Sequence, residues 1–196
     1  MVGPDLLNKI VAVRSSGGWV SARIVEVEAY ASFDPASHSH PGPTARNAVM
    51  FGPPGRLYVY FSYGMHWCAN VVTGPAGSGQ AVLLRAGEPV EGVARMVAAR
   101  GTARTGPRDL CGGPARLAQA LGLTGADSGL ELRRTRRGRC VVVVDDGTPP
   151  PALPAVGPRV GITKAAEVPW RWWVPGSAAV SAWRPGKHRR PGGASG

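Results

Sequence analysis

The sequence predicts a single domain of the mixed α/β (α+β) class, in which short strands alternate with turns and a few helices. The chain has 196 residues, enough for one domain with a hydrophobic core and too few for two of ordinary size. Its 28 glycines and 19 prolines indicate many turns. Several short apolar runs bounded by glycine are typical of strands. We place this domain at residues 1–183 and expect a separate basic tail at 184–196.

The N-terminal part predicts a β-hairpin followed by a long loop. Apolar and β-branched residues at 9–13 and 19–30 flank the segment Ser-Ser-Gly-Gly, so the hairpin loop should lie at 15–18. Residues 31–55 contain five prolines and almost no periodicity, which indicates an irregular loop. Loops of this length inside a compact domain are usually functional.

The stretch "RLYVYFSYG", residues 56–64, alternates in polarity and predicts a strand that ends at a glycine turn. The side chains expected on its more polar face are Tyr58, Tyr60 and Ser62, and those on its apolar face are Leu57, Val59 and Phe61. Further short apolar runs at 67–73 and 81–86 predict two more strands.

Two helices and several C-terminal strands follow. Glu88-Pro89 and the apolar spacing after it predict a helix that ends at Gly101, and a second helix should run from Pro114 to Leu121. "RCVVVV" predicts a buried strand, and residues 158–163 and 172–174 predict two more. The tail from Arg184 has no core-forming content, so we expect it to be disordered or to lie on a partner.

The charge of the chain indicates a polyanionic partner. The formal net charge is +11, and 20 of the 23 cationic residues are arginines. Arginine pairs well with phosphate, so nucleic acid is the first expectation. A codon bias toward Ala, Gly, Pro and Arg is an alternative source of the arginines, although it explains the excess of positive charge less well.

Location and redox chemistry follow from what the sequence lacks. No apolar run is long enough to cross a bilayer and no secretory signal precedes the domain, so we expect a cytoplasmic protein, associated with the nucleoid if it is bacterial. The three cysteines, Cys68, Cys111 and Cys140, are widely spaced and predict buried thiols rather than disulfides or a zinc site.

The stretch "VEVEAY", residues 25–30, carries the most suggestive acidic groups. Strict alternation would place Glu26, Glu28 and Tyr30 on one face of a strand and Val25, Val27 and Ala29 on the other. A partly desolvated carboxylate can accept a proton from water. Glu28 is the preferred base, while Glu26 is an equal candidate on spacing alone, and either could instead be a surface partner of arginine.

Aromatic and histidine side chains suggest a site for a flat heterocycle. Tyrosine faces can hold such a ring, and a cationic ring more strongly, although tyrosines are also ordinary in a β-rich core. Tyr63 precedes a glycine turn, where its ring could protrude as a wedge. His38 and His40 lack a third ligand at suitable spacing, which disfavours a metal site.

Polar residues inside apolar strands point to the same region. Asn70 and Arg85 interrupt predicted strands, and buried polar groups need partners, which a binding pocket can supply. No phosphate-binding glycine loop is present, so nucleotide and dinucleotide cofactors are disfavoured, and we expect no cofactor or metal.

Long stretches of the chain resemble the alkyladenine, or 3-methyladenine, DNA glycosylase family. They are "VEVEAY" (25–30), "DPASHS" (34–39), "TARNAVMFGPPGRLYVYFSYGMHWCANVV" (44–72), "AVLLRAGEPVEG" (81–92), "LCGGPARLAQALG" (110–122) and "GPRVGITKAAEVPWRWWVPGS" (157–177). The resemblance implies one domain with a curved antiparallel β-sheet core and flanking helices. It also implies an enzyme that flips a damaged purine out of duplex DNA and hydrolyses its glycosidic bond.

The resemblance assigns roles residue by residue. Glu28 falls at the general base that activates a water, and Arg85 at a partner near that water. The residues that match contacts to the flipped base are Tyr30, His38, Tyr60 and Asn70. Those that match the DNA wedge and its neighbours are Tyr63, Met65 and His66, and those matched by position to the DNA backbone are Arg46, Arg100 and Lys164.

These roles predict a monofunctional enzyme acting on alkylated or deaminated purines, namely the 3-methyladenine, 7-methylguanine, hypoxanthine and ethenoadenine class. No lysine lies between positions 9 and 164, so the matched region offers no amine for a Schiff base. We expect a monomer that binds double-stranded DNA and no membrane. Two alternatives remain: a non-catalytic basic nucleic-acid-binding module, and a hydrolase of free nucleosides.

Overall fold

The computed structural model describes residues 2–62, 64–135 and 137–186, which form eight β-strands and four α-helices. The strands are β1 Ile10–Ser15, β2 Gly18–Tyr30, β3 Leu57–Ser62, β4 His66–Thr73, β5 Gln80–Glu91, β6 Cys140–Val144, β7 Ala155–Gly157 and β8 Arg171–Trp173. The helices are α1 Val2–Asp5, α2 Val93–Arg100, α3 Pro107–Cys111 and α4 Pro114–Ala120. Short 3₁₀ turns occur at Ala48–Phe51 and Gly125–Asp127.

The long strand β2 is paired along both of its edges. β5 pairs with it between Ser21 and Tyr30, while on its other edge β1 pairs with residues 18–23 and β8 with residues 26–28. The sheet order is β3-β4-β5-β2-β1-β6, every pairing between these strands is antiparallel, and β7 pairs with β8. This confirms the predicted α+β fold with a curved antiparallel sheet and flanking helices. It also places the "VEVEAY" segment inside the sheet.

The main hydrophobic core lies between one face of the sheet and helices α2, α3 and α4. Its buried members include Val27 and Leu84 from the sheet and Met96, Leu110 and Leu117 from the helices. The alternation predicted for β3 is confirmed, because Leu57 and Val59 enter this core while Tyr58 and Tyr60 pack in a second cluster with Met50. The opposite face of the sheet is therefore free to carry a site.

A pair of irregularities in the β2–β5 pairing changes the predicted facing of Val25. The register shifts between Ile24 and Glu26 and again between Glu26 and Val27, which is the signature of β-bulges. Val27 enters the main core, whereas Val25 packs in a different cluster with Ala86. The prediction that Val25 shares a face with Val27 is therefore wrong, because an inserted residue resets the alternation.

The predicted helix start at Glu88 is also wrong. Residues 88–91 continue β5, because their backbone pairs with the first half of β2. Gly92 then turns the chain with a φ of 76°, and a Cβ atom at that position would lie 2.7 Å from the carbonyl oxygen of Trp19. Helix α2 begins only at Val93. A long-range strand pairing has overridden the local Glu-Pro signal.

The segment 158–163 is irregular rather than a strand, contrary to the prediction. Its backbone donors go elsewhere, since the Val160 N–H donates to the Glu28 carboxylate and the Gly161 N–H to the carbonyl of Arg184. The helices α1 and α3 are absent from the sequence prediction. β8 begins one residue earlier than expected.

The remaining loops mostly follow the prediction. The hairpin turn consists of Ser16 and Gly17, because Ser15 already pairs with Gly18. Residues 31–55 form the expected long loop, interrupted by one 3₁₀ turn. In the predicted tail the Gly186 N–H donates to the carbonyl of Ile162, and residues 187–196 lie outside the described part of the chain.

Within that described part, no helix has both the length and the apolar character that a membrane span requires.

Candidate active site

A cavity of about 460 Å³ opens beside the C-terminal half of β2, within the size range of small-molecule sites. Side chains from the sheet line what we call the strand wall: Tyr30, Tyr58, Tyr60, Ser62, Cys68, Leu83 and Arg85. The loops at 31–55 and 158–165 line what we call the loop wall: Ala36, Ser37, His38, Arg46, Met50, Val160, Gly161 and Ile162. Pro114 of α4 also lines the cavity.

Glu28 lies directly behind this lining, and its side chain is fully buried. Its Oε2 accepts a hydrogen bond from the Tyr30 hydroxyl at 2.9 Å and lies 3.2 Å from Nη1 of Arg85. Its Oε1 accepts a hydrogen bond from the Val160 N–H at 2.7 Å. A carboxylate has about four acceptor positions, so the three donor groups leave room for one more donor, such as a water molecule.

Glu26 is equally buried but is fully occupied by protein donors. It accepts hydrogen bonds from Nε of Arg171 at 2.6 Å, Nε of Arg85 at 3.2 Å, and both the backbone N–H and the hydroxyl of Ser181 at 2.9 Å. These donors fill its acceptor positions. Spacing alone left Glu26 and Glu28 equal, and their contacts now separate them.

Burial keeps the phenols of the strand wall protonated. It raises the pKa of Tyr30 well above its ordinary value, and the neighbouring Glu28 charge raises it further. Burial likewise raises the pKa of Tyr60 and of the Cys68 thiol. Tyr30 is therefore a hydrogen-bond donor to Glu28 at all ordinary pH values. For Arg85, the Glu28 and Glu26 charges outweigh the opposing effect of burial and raise its pKa.

The aromatic rings form a connected group at the cavity. The Tyr58 and Tyr60 rings are roughly parallel, with centroids 5.7 Å apart. The His38 ring stands edge-on to Tyr60 at 4.5 Å, and its Nδ1 lies 3.2 Å from the Tyr58 hydroxyl. Although His38 is partly exposed, the protein around its ring lowers its pKa below 6.5, and the charge of Arg46 adds to this effect. The imidazole is thus neutral at physiological pH.

A buried ion pair joins the two loops of the loop wall. The Arg159 guanidinium binds both carboxylate oxygens of Asp34, and it also donates to the carbonyl of Ala29 at 3.0 Å. Arg159 is 1% exposed, and its Cζ lies 4.8 Å from the centre of the Tyr30 ring. The pair thus fixes Val160 relative to both Glu28 and Tyr30.

A buried amide holds His38 in place. Nδ2 of Asn47 donates to the carbonyls of His38 at 2.7 Å and Gly42 at 3.0 Å, and its Oδ1 accepts from the Thr44 N–H at 2.6 Å. The long loop is therefore ordered by polar contacts rather than by regular secondary structure.

The structure brings together most of the predicted base-contacting residues, but Asn70 is set apart. Tyr30, His38 and Tyr60 all line the cavity. Asn70 is buried on β4 outside the lining, and its Nδ2 donates to the carbonyl of Tyr58 at 3.1 Å. This hydrogen bond ties Asn70 to β3, and its register partner on β5, Leu83, lines the cavity.

The predicted DNA-contacting residues occupy different surfaces. Arg46 and Lys164 line a second hollow that adjoins the cavity and shares His38 with it. Arg100 lies on α2, where it donates to Gln119 of α4, and it lines neither hollow. The exposed Met65 and His66 lie at the β3–β4 turn. Tyr63, the predicted wedge, lies outside the described residues.

Sequence reasoning missed several residues that build this site. Arg171 and Ser181 bind Glu26, the pair Asp34 and Arg159 joins the loops, and the Val160 N–H binds Glu28. Arg171 stands in an apolar run, the same signal that singled out Arg85. No comparable sequence pattern identifies a backbone N–H donor such as that of Val160. Among the described residues, no group of three or more His, Cys, Asp or Glu side chains could hold a metal ion.

Known sequences similar to this one agree on a single family. Residues 1–178 match the family described as Methylpurine-DNA glycosylase (MPG). A protein of Burkholderia lata is 56% identical over 92% of this chain and 84% of its own length. Proteins of Rhodopseudomonas palustris and Frankia casuarinae are 51% and 50% identical, over 92% and 89% of this chain and 82% and 84% of their own lengths. All three are provisionally named 3-methyladenine DNA glycosylases.

Proposed function

Since the chain belongs to the methylpurine-DNA glycosylase family and is thus a DNA repair glycosylase, we propose that it flips damaged purines from duplex DNA into the cavity between the strand and loop walls. There it hydrolyses the bond between the base and its deoxyribose. The observation that carries this proposal is the buried Glu28 directly behind a tyrosine-lined cavity, with one acceptor position left open.

Glu28 is the general base in this mechanism. Its open acceptor position takes a hydrogen bond from a water molecule in the cavity, and the carboxylate accepts the proton of that water as the oxygen attacks the sugar C1′. Tyr30, Arg85 and the Val160 N–H hold the carboxylate in one orientation. The departing purine takes the electrons of the broken bond, which is easiest when alkylation has made the base cationic.

Tyr30, Tyr60 and His38 bind the flipped base. Electron-rich rings favour a flat purine and hold a cationic one more strongly. Damaged bases also unstack at lower cost, which adds to selectivity. We infer a substrate range of 3-methyladenine, 7-methylguanine, hypoxanthine and ethenoadenine, with Asn70 disfavouring normal guanine through its contact with β3.

The duplex is held by cationic and protruding groups around the cavity. Arg46 and Lys164 flank the second hollow, where they can bind phosphates next to the flipped nucleotide. The exposed Met65 and His66 follow Tyr63 closely in the sequence, and the wedge role of Tyr63 remains a prediction. The +11 charge supports salt-dependent binding to undamaged duplex during the search. The working state is one chain on one duplex, in the cytoplasm or at the nucleoid.

The reaction stops at an abasic site. Lys9 pairs with Asp145 at 2.7 Å, and Lys164 lines the second hollow rather than the cavity. Neither of these two lysines is therefore placed to form a Schiff base with C1′, and the third, Lys187, lies outside the described residues. Borohydride trapping tests this directly: no covalent complex should form, whereas a trapped complex lost in Lys164→Ala would contradict a monofunctional reaction.

The decisive experiment uses a duplex with a single hypoxanthine or ethenoadenine. We expect the protein to release the base and leave the strand intact until alkali is added. Glu28→Gln should lower the single-turnover rate by about 100- to 10,000-fold, the usual contribution of a general base, while duplex affinity stays unchanged. A Glu28→Gln variant that excises at the normal rate would assign the base elsewhere, and binding without excision by the unmodified protein would contradict the proposal.

A further inference from the structure

Arg85 stands between two buried carboxylates. Its Nε donates to Oε1 of Glu26 at 3.2 Å, its Nη1 lies 3.2 Å from Oε2 of Glu28, and its Nη2 lies 3.3 Å from the Ser181 hydroxyl. One guanidinium is thus shared by the proposed base and by a second carboxylate two residues earlier in the same strand.

Glu26 is anchored from the C-terminal part of the chain. Arg171 of β8 and Ser181 supply three of its four donors. Both glutamates lie behind the cavity lining, but the Glu28 partners Tyr30 and Val160 belong to that lining, whereas Arg171 and Ser181 do not. Glu26 also has no open acceptor position for water, because four donors already occupy it. Its contacts therefore suit it to hold Arg85 rather than to react.

The charges of the four buried side chains around Arg85 cancel. Glu26, Glu28, Arg85 and Arg171 are each at most 6% exposed, and two negative charges face two positive ones. If Glu26 were neutral, this buried group would hold two guanidiniums, those of Arg85 and Arg171, and a single carboxylate, that of Glu28. Buried charges are weakly screened, so the excess positive charge would stabilise the ionised form of Glu28 and make it a weaker base.

We propose that Glu26 is a positioning residue that fixes Arg85 through its Nε and neutralises part of its charge, so that Glu28 remains able to accept a proton from water. This inference rests on the proposed role of Glu28 as the base. It explains why the strand carries two buried carboxylates on one face although only one of them has an acceptor position open.

The other groups around Glu28 do not supply the same control. Tyr30, Tyr60 and Cys68 face it from three strands and stay neutral, because their pKa values are raised. The cations Arg159, above the Tyr30 ring, and Arg46, on the loop wall, do not pair with Glu28 among the described contacts. His38 is neutral above its lowered pKa.

The test is the pH dependence of single-turnover excision in two variants. Glu26→Gln removes the charge, so the acidic limb of the rate profile should move to lower pH and the plateau rate should fall about 10- to 100-fold, since a misplacement of about 1 Å can cost about 100-fold. Glu26→Asp keeps the charge but shortens the reach to Arg85. It should lower the plateau and leave the limb in place. Duplex affinity should be unchanged in both.

Glu88→Gln is the matched control, because Glu88 lies on β5, the strand that carries Arg85, and like Glu26 it accepts a hydrogen bond from a C-terminal serine, in this case Ser177 at 2.5 Å. The Glu88→Gln variant should change neither the position of the acidic limb nor the plateau rate. An unmoved limb in Glu26→Gln, or a normal plateau in Glu26→Asp, would overturn the role of Glu26 while leaving Glu28 as the base. If Glu26→Gln does not fold, a normal plateau in Glu26→Asp overturns the inference by itself. Absence of excision by the unmodified protein would overturn both proposals.

Discussion

The two walls of the cavity are built by different physical means. The strand wall is fixed by backbone pairing among β2, β3, β4 and β5, so each side chain points where the alternation of its strand sends it. The loop wall has almost no regular structure and depends on buried polar contacts, above all the Asp34–Arg159 pair and the Asn47 amide. A single substitution should therefore damage the loop wall more easily than the strand wall.

The largest expected effect comes from breaking the Asp34–Arg159 pair. Asp34→Asn leaves the Arg159 charge buried without its partner, which should lower the free energy of unfolding by about 3 to 5 kcal/mol. Excision should also slow, because the Val160 N–H would no longer be fixed against Glu28. Urea denaturation and single-turnover kinetics measure the two effects.

Asp145→Asn is the control for this prediction, since it removes an ion pair of 2.7 Å to Lys9 that lies at the surface. Exposed pairs contribute little to stability. We expect no measurable change in the urea midpoint. Equal losses in Asp34→Asn and Asp145→Asn would contradict the view that buried polar contacts hold the loop wall together.

A smaller effect is expected from removing a ring of the strand wall. Tyr60→Ala should weaken binding of hypoxanthine-containing duplex by about 1 to 3 kcal/mol, the usual size of one base–aromatic stacking contact. Binding is best measured in the Glu28→Gln background, where the base is not released. Tyr60→Phe keeps the ring and should bind normally, and an equal loss in the phenylalanine variant would argue against stacking.

The smallest expected effect is on the pH dependence of stability, and it comes from His38 on the loop wall. The folded protein lowers the pKa of His38 from 6.5, whereas the unfolded chain takes up the proton near 6.5. Stability associated with neutral His38 is therefore complete above pH 6.5 and is lost as the pH falls toward the lowered pKa. Urea midpoints between pH 7.5 and 5.5 should decline, and part of this decline should disappear in His38→Gln. Identical declines in both proteins would exclude the histidine as the cause.

The strand wall could be predicted from sequence more fully than the loop wall. Alternation correctly assigned Tyr58 and Tyr60 to one face because period-2 geometry is local. It failed at Val25 because a bulge depends on the partner strand. The Asp34–Arg159 contact joins residues 125 positions apart, a distance over which no local pattern carries information.

The two acidic candidates illustrate the same limit. Spacing placed Glu26 and Glu28 on one face, which the structure confirms through their common contact with Arg85. Their different roles depend on donors from Val160, Arg171 and Ser181, which fold against β2 from far along the chain. The family resemblance selected Glu28, and its place behind the cavity, with an acceptor position open, supports that choice.

The pairing of β8 with β2 has a consequence for when the site can form during translation. Glu26 is separated from Arg171 by 145 residues and from Ser181 by 155. During translation, a nascent chain that has emerged only as far as β6 still lacks these donors and the Val160 N–H. The proposed base and Glu26 can therefore acquire all their donors only after residue 181 has emerged, so a shorter ribosome-bound chain should be inactive toward damaged DNA.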